Sequence, residues 1–422
     1  MIRIQTKPVR KDITVQVPGS KSYTHRLLIA AALSAGTCRI VNPLHSDDTL
    51  LTLSALRRMG ISSEDRGSEM VVQGAKGKLA PCNDIIHLGN SGTSMRLLSG
   101  ISILGRGDYL FTGSPRMCER PMQPLLDSLQ QLGIQARAQK GNGCPPIIIT
   151  GGPPAGRHTS VDCGVSSQYL SALLLAAPCL PRGLLISVSR GPVSRPYIDM
   201  TLDIMSLFGI TAARKDYTHF EVPGGQTYRA GDHAVEPDCS QAGYFWAAAA
   251  VTGMRVKVQG VRPDSRQGDV GLAAVLAQMG CRVECEPDGI AVTGGDLKAI
   301  EVDMGHMPDM VPTLAVVAAF AQGTTTIRKV AHLRAKESDR LAAVSQQLGR
   351  MGIEAVCGPD ELRVTGGLPQ GAEIETYNDH RIAMSFAVAG LKTPGVVIAD
   401  ENCVNKSFPN YWAVFEELYQ KG

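Results

Sequence analysis

Basic and hydroxyl side chains recur in this 422-residue sequence where a helix is about to begin. PGSKSYTHR (18–26) sets Lys21, Ser22 and Arg26 at the head of an apolar run. LGNSGTSMR (88–96) does so with Asn90, Ser91, Gly92, Thr93 and Arg96, and VSSQY (165–169) with Ser166, Ser167 and Gln168. Asp309 heads a further apolar run, and Asp379, His380 and Arg381 head another. A second set of helices is expected to start at SDD (46–48), ERP (119–121), SRPY (194–197), KESDR (336–340) and KSFPN (406–410). A helix N-terminus carries about half a positive charge, so cations there are disfavoured in isolation. They become sensible when a phosphate or carboxylate lies between them and the backbone N–H groups. Short hydroxyls beside a glycine that admits close backbone approach suit the same cradle. The chemistry implied is the holding of small, multiply charged anions.

Each motif alone is weak, since Ser-Ser before a helix is an ordinary N-cap. Glu337 reads equally as a surface ion pair within KESDR or as a carboxylate whose pKa is tuned by neighbouring charges for acid–base work. His380 reads either as a satisfied neighbour of an N-cap or as a titrating donor. Periodic placement is what favours one shared anion site.

The elements that position these residues repeat. Amphipathic stretches close on Gly60, Gly133, Gly209, Gly280 and Gly352, and a sixth, FEELYQKG, closes on Gly422, at intervals of about seventy residues. Glycine just past a helix is a C-cap, because it takes the left-handed conformation freely. Segments 71–74, 147–152, 220–225, 290–295 and 362–367 follow and read as strands ending in glycine turns. In phase with these are helices apolar nearly all round, beginning near Ser20, Ser91, Ser166, Ser240, Asp309 and Asp379, and therefore buried. The chain is thus α/β, six repeated units dividing naturally as three and three.

Bulk properties narrow the function. A length of 422 residues implies more than one core. A net charge of +3 with 5% aromatics argues against nucleic acid. No apolar run is long enough to span a membrane, and the first residues, MIRIQTKPVRKD, contain no signal-peptide core, so a cytoplasmic protein is expected. Eleven dispersed cysteines contain no CxxC pair, and the nine histidines show no HExxH spacing, so neither metal nor cofactor is expected.

The motifs PGSKSYTHR, LGNSGTSMR, GSPRMCERP (113–121), SSQYLSALLLAAP (166–178), SRPYIDMT (194–201), KESDRL (336–341), YNDHRIAM (377–384) and KSFP (406–409) together closely resemble the EPSP synthase family, in that family's order. The resemblance implies transfer of the enolpyruvyl group of phosphoenolpyruvate to the 5-hydroxyl of shikimate 3-phosphate, with release of phosphate. It implies two similar domains in an inside-out α/β barrel arrangement, 17–235 and 1–16 plus 236–422, the first on the shikimate 3-phosphate side, closing on an active site in the cleft between them. It also implies a monomer. Ser166, Ser167 and Ser194 match ligands of the shikimate phosphate. Arg26 matches the partner of its carboxylate, with Ser22, Gln168 and Tyr197 lining that site and His332 and Lys336 beside it. Lys21, Arg120, Arg340, Arg381 and Lys406 match a cationic cage for phosphoenolpyruvate, with Asn90, Gly92 and Gln168 alongside. Asp309 matches the residue that binds and helps deprotonate the target hydroxyl. Glu337 and Lys21 match the groups that move a proton at the methylene carbon, and His380 is a further catalytic candidate.

The chain departs from the family at two places. His332 stands where some members carry Asn, and Leu97 where many bacterial members carry Pro. Gly92 is the type found in members that admit glyphosate, so inhibition by glyphosate is expected. The nearest rival is the sister transferase acting on UDP-N-acetylglucosamine, which uses a loop cysteine; Cys118 in PRMCERP is the candidate. RNA 3′-phosphate cyclases share the repeat type, but no cyclase-like nucleophilic histidine stands out. A non-enzymatic repeat scaffold is the rival of another class.

Overall fold

The apolar runs become helices covered on every side. In the computed structural model, which describes residues 1–420, the chain divides into two units, Gly19–Val235 and Met1–Pro18 with Glu236–Gly422.

The first unit holds α1 (Lys21–Leu33), α2 (Asp47–Arg58), α3 (Gly92–Ile101), α4 (Gln123–Gln131), α5 (Gln168–Ala176) and α6 (Pro196–Leu207). Residues 23–33 of α1, all of α3 and residues 169–176 of α5 are buried. By contrast, α4 buries one stripe, Leu125, Leu126, Ser128 and Leu129. A Cβ on Gly100 would overlap Ala172, so this glycine lets α3 and α5 meet backbone to backbone. The three sheets run Asp232–Ala234, Thr37–Val41, Glu69–Gln73, Ser62–Asp65; Ile86–His87, Gly107–Thr112, Ile147–Gly151, Ala136–Ala138; and His158–Asp162, Leu184–Arg190, His219–Val222, Ala213–Lys215. In each, the first two strands are parallel and the remaining pairings antiparallel. The unit's last strand, Asp232–Ala234, completes its first sheet.

The second unit holds α7 (Cys239–Thr252), α8 (Leu272–Gln278), α9 (Val311–Ala318), α10 (Arg340–Arg350), α11 (His380–Gly390) and α12 (Tyr411–Glu416). Here α9 and α11 are buried throughout, and α7 along residues 239–251. Its sheets run Arg282–Glu286, Gly289–Thr293, Arg255–Gln259, Asp12–Val15; Glu301–Asp303, Thr324–Arg328, Glu361–Thr365, Ala355–Cys357; and Ile2–Arg3, Val397–Ile398, Glu373–Ile374. Asp12–Val15 lies parallel to Arg255–Gln259, so the start of the chain is built into this unit.

The repeat is therefore one buried helix, a central strand, an amphipathic helix and a hairpin. The glycines at 60, 133, 209, 280 and 352 all have positive φ, as C-caps require. Gly422, the sixth, lies outside the described residues. Two helix starts differ from expectation. Arg120 follows a 3-10 turn (Met117–Glu119) and is extended, with φ −82 and ψ 130, so α4 begins only at Gln123. Pro121 is the reason, since a residue before proline is pushed out of the helical region. Lys406 likewise closes a 3-10 turn, Glu401–Lys406, and α12 starts at Tyr411, after Pro409. Among the described residues no helix is long and apolar enough to cross a membrane.

Candidate active site

In the first unit, hydroxyl chains lock three helix starts together. Ser20 and Ser91 cap α1 and α3 by accepting from the backbone N–H of Tyr23 and Ser94. Beneath them a buried chain runs from His25 Nδ1 to Thr52 Oγ1 at 2.8 Å, on to Ser94 Oγ at 2.7 Å and to Ser91 Oγ at 2.7 Å. Ser94 Oγ also donates to the carbonyl of Asp48 at 3.3 Å. The Asp48 carboxylate, in the first turn of α2, receives Lys21 Nζ at 3.2 Å. This holds one cation at the α1 terminus.

Arg26 lies deeper, with no solvent exposure. Its Nε donates to Thr201 Oγ1 at 2.8 Å, Nη1 to the Ser22 carbonyl at 3.1 Å, and Nη2 to the Tyr197 carbonyl at 3.3 Å and Ser171 Oγ at 3.4 Å. These are neutral acceptors. Burial accordingly pulls the guanidinium down to about 10, against the smaller opposing influence of Tyr197 and Tyr23; it remains a cation at neutral pH. Ser167 precedes α5 but its hydroxyl does not cap that helix; it donates to the Ser194 carbonyl at 3.3 Å. Ser166 Oγ accepts from the Gln168 N–H at 3.3 Å. Ser194 itself sits at φ +53, a conformation disfavoured for a residue with a side chain and common at ligand sites.

A third group surrounds the α3 terminus. Arg120 Nη1 donates to the carbonyl and Oδ1 of Asn90 at 3.0 and 3.3 Å. Arg96 Nη1 reaches Gln168 Oε1 at 3.0 Å, and Gln168 Nε2 donates to Thr93 Oγ1 at 3.0 Å. Gly92 opens α3 in the angle between the two guanidiniums: a Cβ there would overlap Arg120 Nη2 and lie 2.7 Å from Arg96 Nη1. Cys118 sits in the 3-10 turn before Arg120, half-buried.

In the second unit, charge is concentrated around Arg340, the first residue of α10. Its Nε and Nη2 grip Asp379 at 2.8 and 3.2 Å, Nη1 donates to Asp309 Oδ1 at 2.8 Å, and Nη2 to Glu337 Oε2 at 2.8 Å. Asp379 caps α11 through the Arg381 N–H at 3.0 Å and accepts from Ser338 Oγ at 3.0 Å. The Arg381 side chain donates to Asp309 Oδ2 at 2.7 Å and to Ser240 Oγ and the Tyr244 hydroxyl at 3.1 Å each. Burial works against the ionised form of Asp309, but Arg381, Arg340 and Lys336 override it and hold the carboxyl far below the usual range. Burial also disfavours the charged form of Arg340, and Asp379, Glu337 and Asp309 outweigh it, raising its pKa.

His332 lies in the turn Ala331–Ala335, buried, with no hydrogen-bond partner for Nε2. Burial, reinforced by Lys336 and Arg340, brings it down to about 3, so the ring is neutral. His380 is buried in the first turn of α11, with Nδ1 3.7 Å from Asp379 Oδ1. Lys406 is buried at the end of its 3-10 turn.

Thus Lys21, Ser22, Arg26, Asn90, Gly92, Arg120, Ser166, Ser167, Gln168, Ser194 and Tyr197 fall in linked groups of the first unit, and Asp309, Glu337, Arg340 and Arg381 in one network of the second. Sequence reasoning did not single out Asp48, Ser240, Tyr244, Ser338 or Asp379 as site residues. Asp379 was signalled, since an Asp opening a buried helix reads as a cap; its second task, gripping Arg340, depends on a residue 39 positions away.

Comparison with known proteins agrees with this chemistry. The model of the family described as EPSP synthase (3-phosphoshikimate 1-carboxyvinyltransferase) matches residues 5–415. A protein of Syntrophobacter fumaroxidans named 3-phosphoshikimate 1-carboxyvinyltransferase is 45% identical over 407 residues, covering 96% of each chain. One of the same name from Methanoculleus marisnigri is 43% identical over 420 residues, covering 99% of this chain and 98% of its own. Among solved structures, EPSP synthase from Acinetobacter baumannii is similar with a TM-score of 0.82 at 30% identity, covering 99% of this chain and 97% of that one.

Proposed function

Because the chain belongs to the EPSP synthase family, we propose how its residues divide the work of that reaction. The chain transfers the enolpyruvyl group of phosphoenolpyruvate to the 5-hydroxyl of shikimate 3-phosphate and releases phosphate, a step of the shikimate pathway. The names of these relatives do not favour the UDP-sugar reaction.

The observation that carries the reading is Arg26. A fully buried guanidinium whose partners are hydroxyls and carbonyls has its charge uncompensated, and buried charges are ordinarily paired. We assign it to the shikimate carboxylate, with Ser22, Gln168 and Tyr197 around the ring. Ser167 and Ser194, with Ser166, hold the 3-phosphate at the start of α5. To phosphoenolpyruvate we assign Lys21, Arg120 and Gly92 at the α1 and α3 ends of the first unit, and Arg340, Arg381 and Lys406 of the second. His332 and Lys336 flank the target hydroxyl. In each unit we further propose an inside-out barrel, with the three buried helices enclosed by the repeats. The strands Asp232–Ala234 and Asp12–Val15, which complete the units' first sheets from distant sequence, support that closure.

The chemistry follows. Asp309 takes the hydroxyl proton as the hydroxyl oxygen bonds to the phosphate-bearing enol carbon, while Glu337 or Lys21 delivers a proton to the methylene. In the second step the methyl carbon returns its proton to the group that delivered it, its C–H pair becomes the new C=C bond, the C–O bond to phosphate breaks, and the leaving phosphate takes the proton held by Asp309. Fixed cations aimed at the two phosphates offset their mutual repulsion and hold the reacting atoms in place. His380, buried beside Asp379 at the start of α11, is kept as a further catalytic candidate.

The test is titration of shikimate 3-phosphate into Arg26→Met. Losing a charge-assisted pair from a buried site weakens binding by at least about 100-fold. Fold stability changes by less than about 1 kcal/mol, because Ser171 and Thr201 already bond each other at 2.9 Å. Near-normal affinity would refute the assignment.

A further inference from the structure

Asp309 bridges two arginines in the way a carboxylate ligand would. One oxygen takes Arg340 Nη1 at 2.8 Å and the other takes Arg381 Nη2 at 2.7 Å. The formal charges of the cluster explain what this does. Arg340, Arg381 and the nearby Lys336 are balanced by Asp309, Glu337 and Asp379. Within this group three cations are matched by three carboxylates, so both guanidinium forks are already occupied before an anion arrives. The carboxylates are not equivalent. Asp379 is wholly buried and is also held by Ser338 and the α11 backbone, so it is a permanent part of the frame. Glu337 bonds Arg340 at Nη2, an atom also shared with Asp379. Asp309 reaches both guanidiniums, and its side chain keeps 18% of its surface exposed. It sits in a 3-10 turn ahead of α9, not within a helix, so its carboxylate can swing with little change elsewhere.

We propose that Asp309 is an internal stand-in for the reactant anion: phosphoenolpyruvate takes the Arg340 and Arg381 forks by displacing it, and the displacement converts it into the base of the reaction. This rests on the assignment of Arg340 and Arg381 to phosphoenolpyruvate made above. A carboxylate pinned by two guanidiniums is a poor base, because both cations favour its ionised form. Once the reactant anion occupies the forks, Asp309 loses those partners and its affinity for a proton rises. It then accepts the proton of the 5-hydroxyl: the O–H bond breaks, a carboxyl O–H bond forms, the hydroxyl oxygen's electron pair goes to the phosphate-bearing enol carbon, and the C=C pair of phosphoenolpyruvate takes the proton delivered to the methylene. The base is thereby armed by arrival of the second reactant. Phosphoenolpyruvate alone pays a penalty for the exchange: if Asp309 holds the forks about nine-tenths of the time, the apparent affinity is reduced about tenfold.

The test measures binding of phosphoenolpyruvate alone, and separately of inorganic phosphate, to the full chain by calorimetry. Asp309→Asn is expected to bind phosphoenolpyruvate about tenfold more tightly than the unmodified protein while losing turnover. Glu337→Gln, which removes the same charge from beside Arg340 and leaves the Asp309 bridge in place, is expected to tighten it by no more than about threefold. Unchanged or weaker binding to Asp309→Asn overturns the proposal, and so does an equal gain in both variants, which would mark a bulk charge effect. A second measurement needs no variant. In a crystal structure of the unmodified protein with phosphoenolpyruvate on these arginines, Asp309 is expected beyond hydrogen-bond reach of Arg381, past about 3.5 Å. Retention of the 2.7 Å contact there overturns the proposal. Phosphate release by the unmodified protein with both substrates separates the two failures: without it the functional reading itself falls, and with it only the displacement does.

Discussion

Asp379→Asn is the substitution by which the frame of the second unit is best judged. The side chain is fully buried and makes four contacts. Oδ2 accepts from Arg340 Nε at 2.8 Å and Ser338 Oγ at 3.0 Å; Oδ1 accepts from Arg340 Nη2 at 3.2 Å and the Arg381 N–H at 3.0 Å. Asparagine keeps the shape but turns one oxygen into a donor. Whichever way the amide is set, its NH2 meets a guanidinium N–H and one further donor. Breaking a buried ion pair from one side costs about 3–5 kcal/mol. Arg340 keeps Asp309 and Glu337, which places the loss near the lower bound, about 3 kcal/mol. For a unit of this size that lowers the melting temperature by about 6–12 °C. Arg340 also turns toward its remaining partners, and a misdirected guanidinium lowers kcat/KM by at least about 100-fold. Calorimetry and a phosphate-release assay well below the melting temperature measure the two effects. The neighbouring Asp339→Asn is the control, because Asp339 merely caps α10 and meets the partly exposed Arg334; it changes stability by about 1 kcal/mol or less. An Asp379→Asn protein within about 1 kcal/mol of the parent and with normal turnover would refute the clamp.

Three other outcomes are expected. Gly92→Ala stays folded, since a helical Gly→Ala change gains about 0.5–1 kcal/mol. Its methyl displaces the Arg120 guanidinium from Asn90, so KM for phosphoenolpyruvate rises about 10-fold to 100-fold with less effect on kcat, and glyphosate, if it binds the same cations, weakens in parallel; steady-state kinetics with an unchanged KM would count against this. His332 supplies a pH signature. Folded, it stays neutral down to about 3, whereas the unfolded ring takes a proton near its ordinary 6.5. Unfolding therefore binds a proton below that pH, and stability falls as pH falls. Between pH 7 and 5 this amounts to about 2 kcal/mol, and His332→Asn should show that much less loss in denaturant titrations; identical slopes would mean the ring titrates normally. Glu337→Gln is expected to retain both substrates in equilibrium titrations while losing most turnover, and near-normal turnover would remove it from proton transfer.

Much of the architecture was legible because it repeats. The positive-φ glycines and the wholly apolar helices are local signals, and each recurs along the chain. What stayed hidden depends on partners far away in sequence. Two of the short strands after C-cap glycines, Ser62–Asp65 and Ala213–Lys215, are polar and largely exposed, and are extended only because the next strand pairs with them. Ser167 reads as a cap by its position, yet its hydroxyl is drawn to the Ser194 carbonyl by the left-handed turn there. Arg26 could be placed at a helix start, but its neutral surroundings come from Ser171, Tyr197 and Thr201, which sequence spacing does not reveal. The pairing of Arg340 with three carboxylates was suggested by KESDR for Glu337 alone.

The most direct measurement is phosphate release from phosphoenolpyruvate with shikimate 3-phosphate present and with it omitted, alongside its consumption. If helix ends and clustered cations hold both anions for enolpyruvyl transfer, phosphate appears only with both substrates, one for each shikimate 3-phosphate consumed. Phosphate released from phosphoenolpyruvate alone at a comparable rate, or none with both present, would contradict the account.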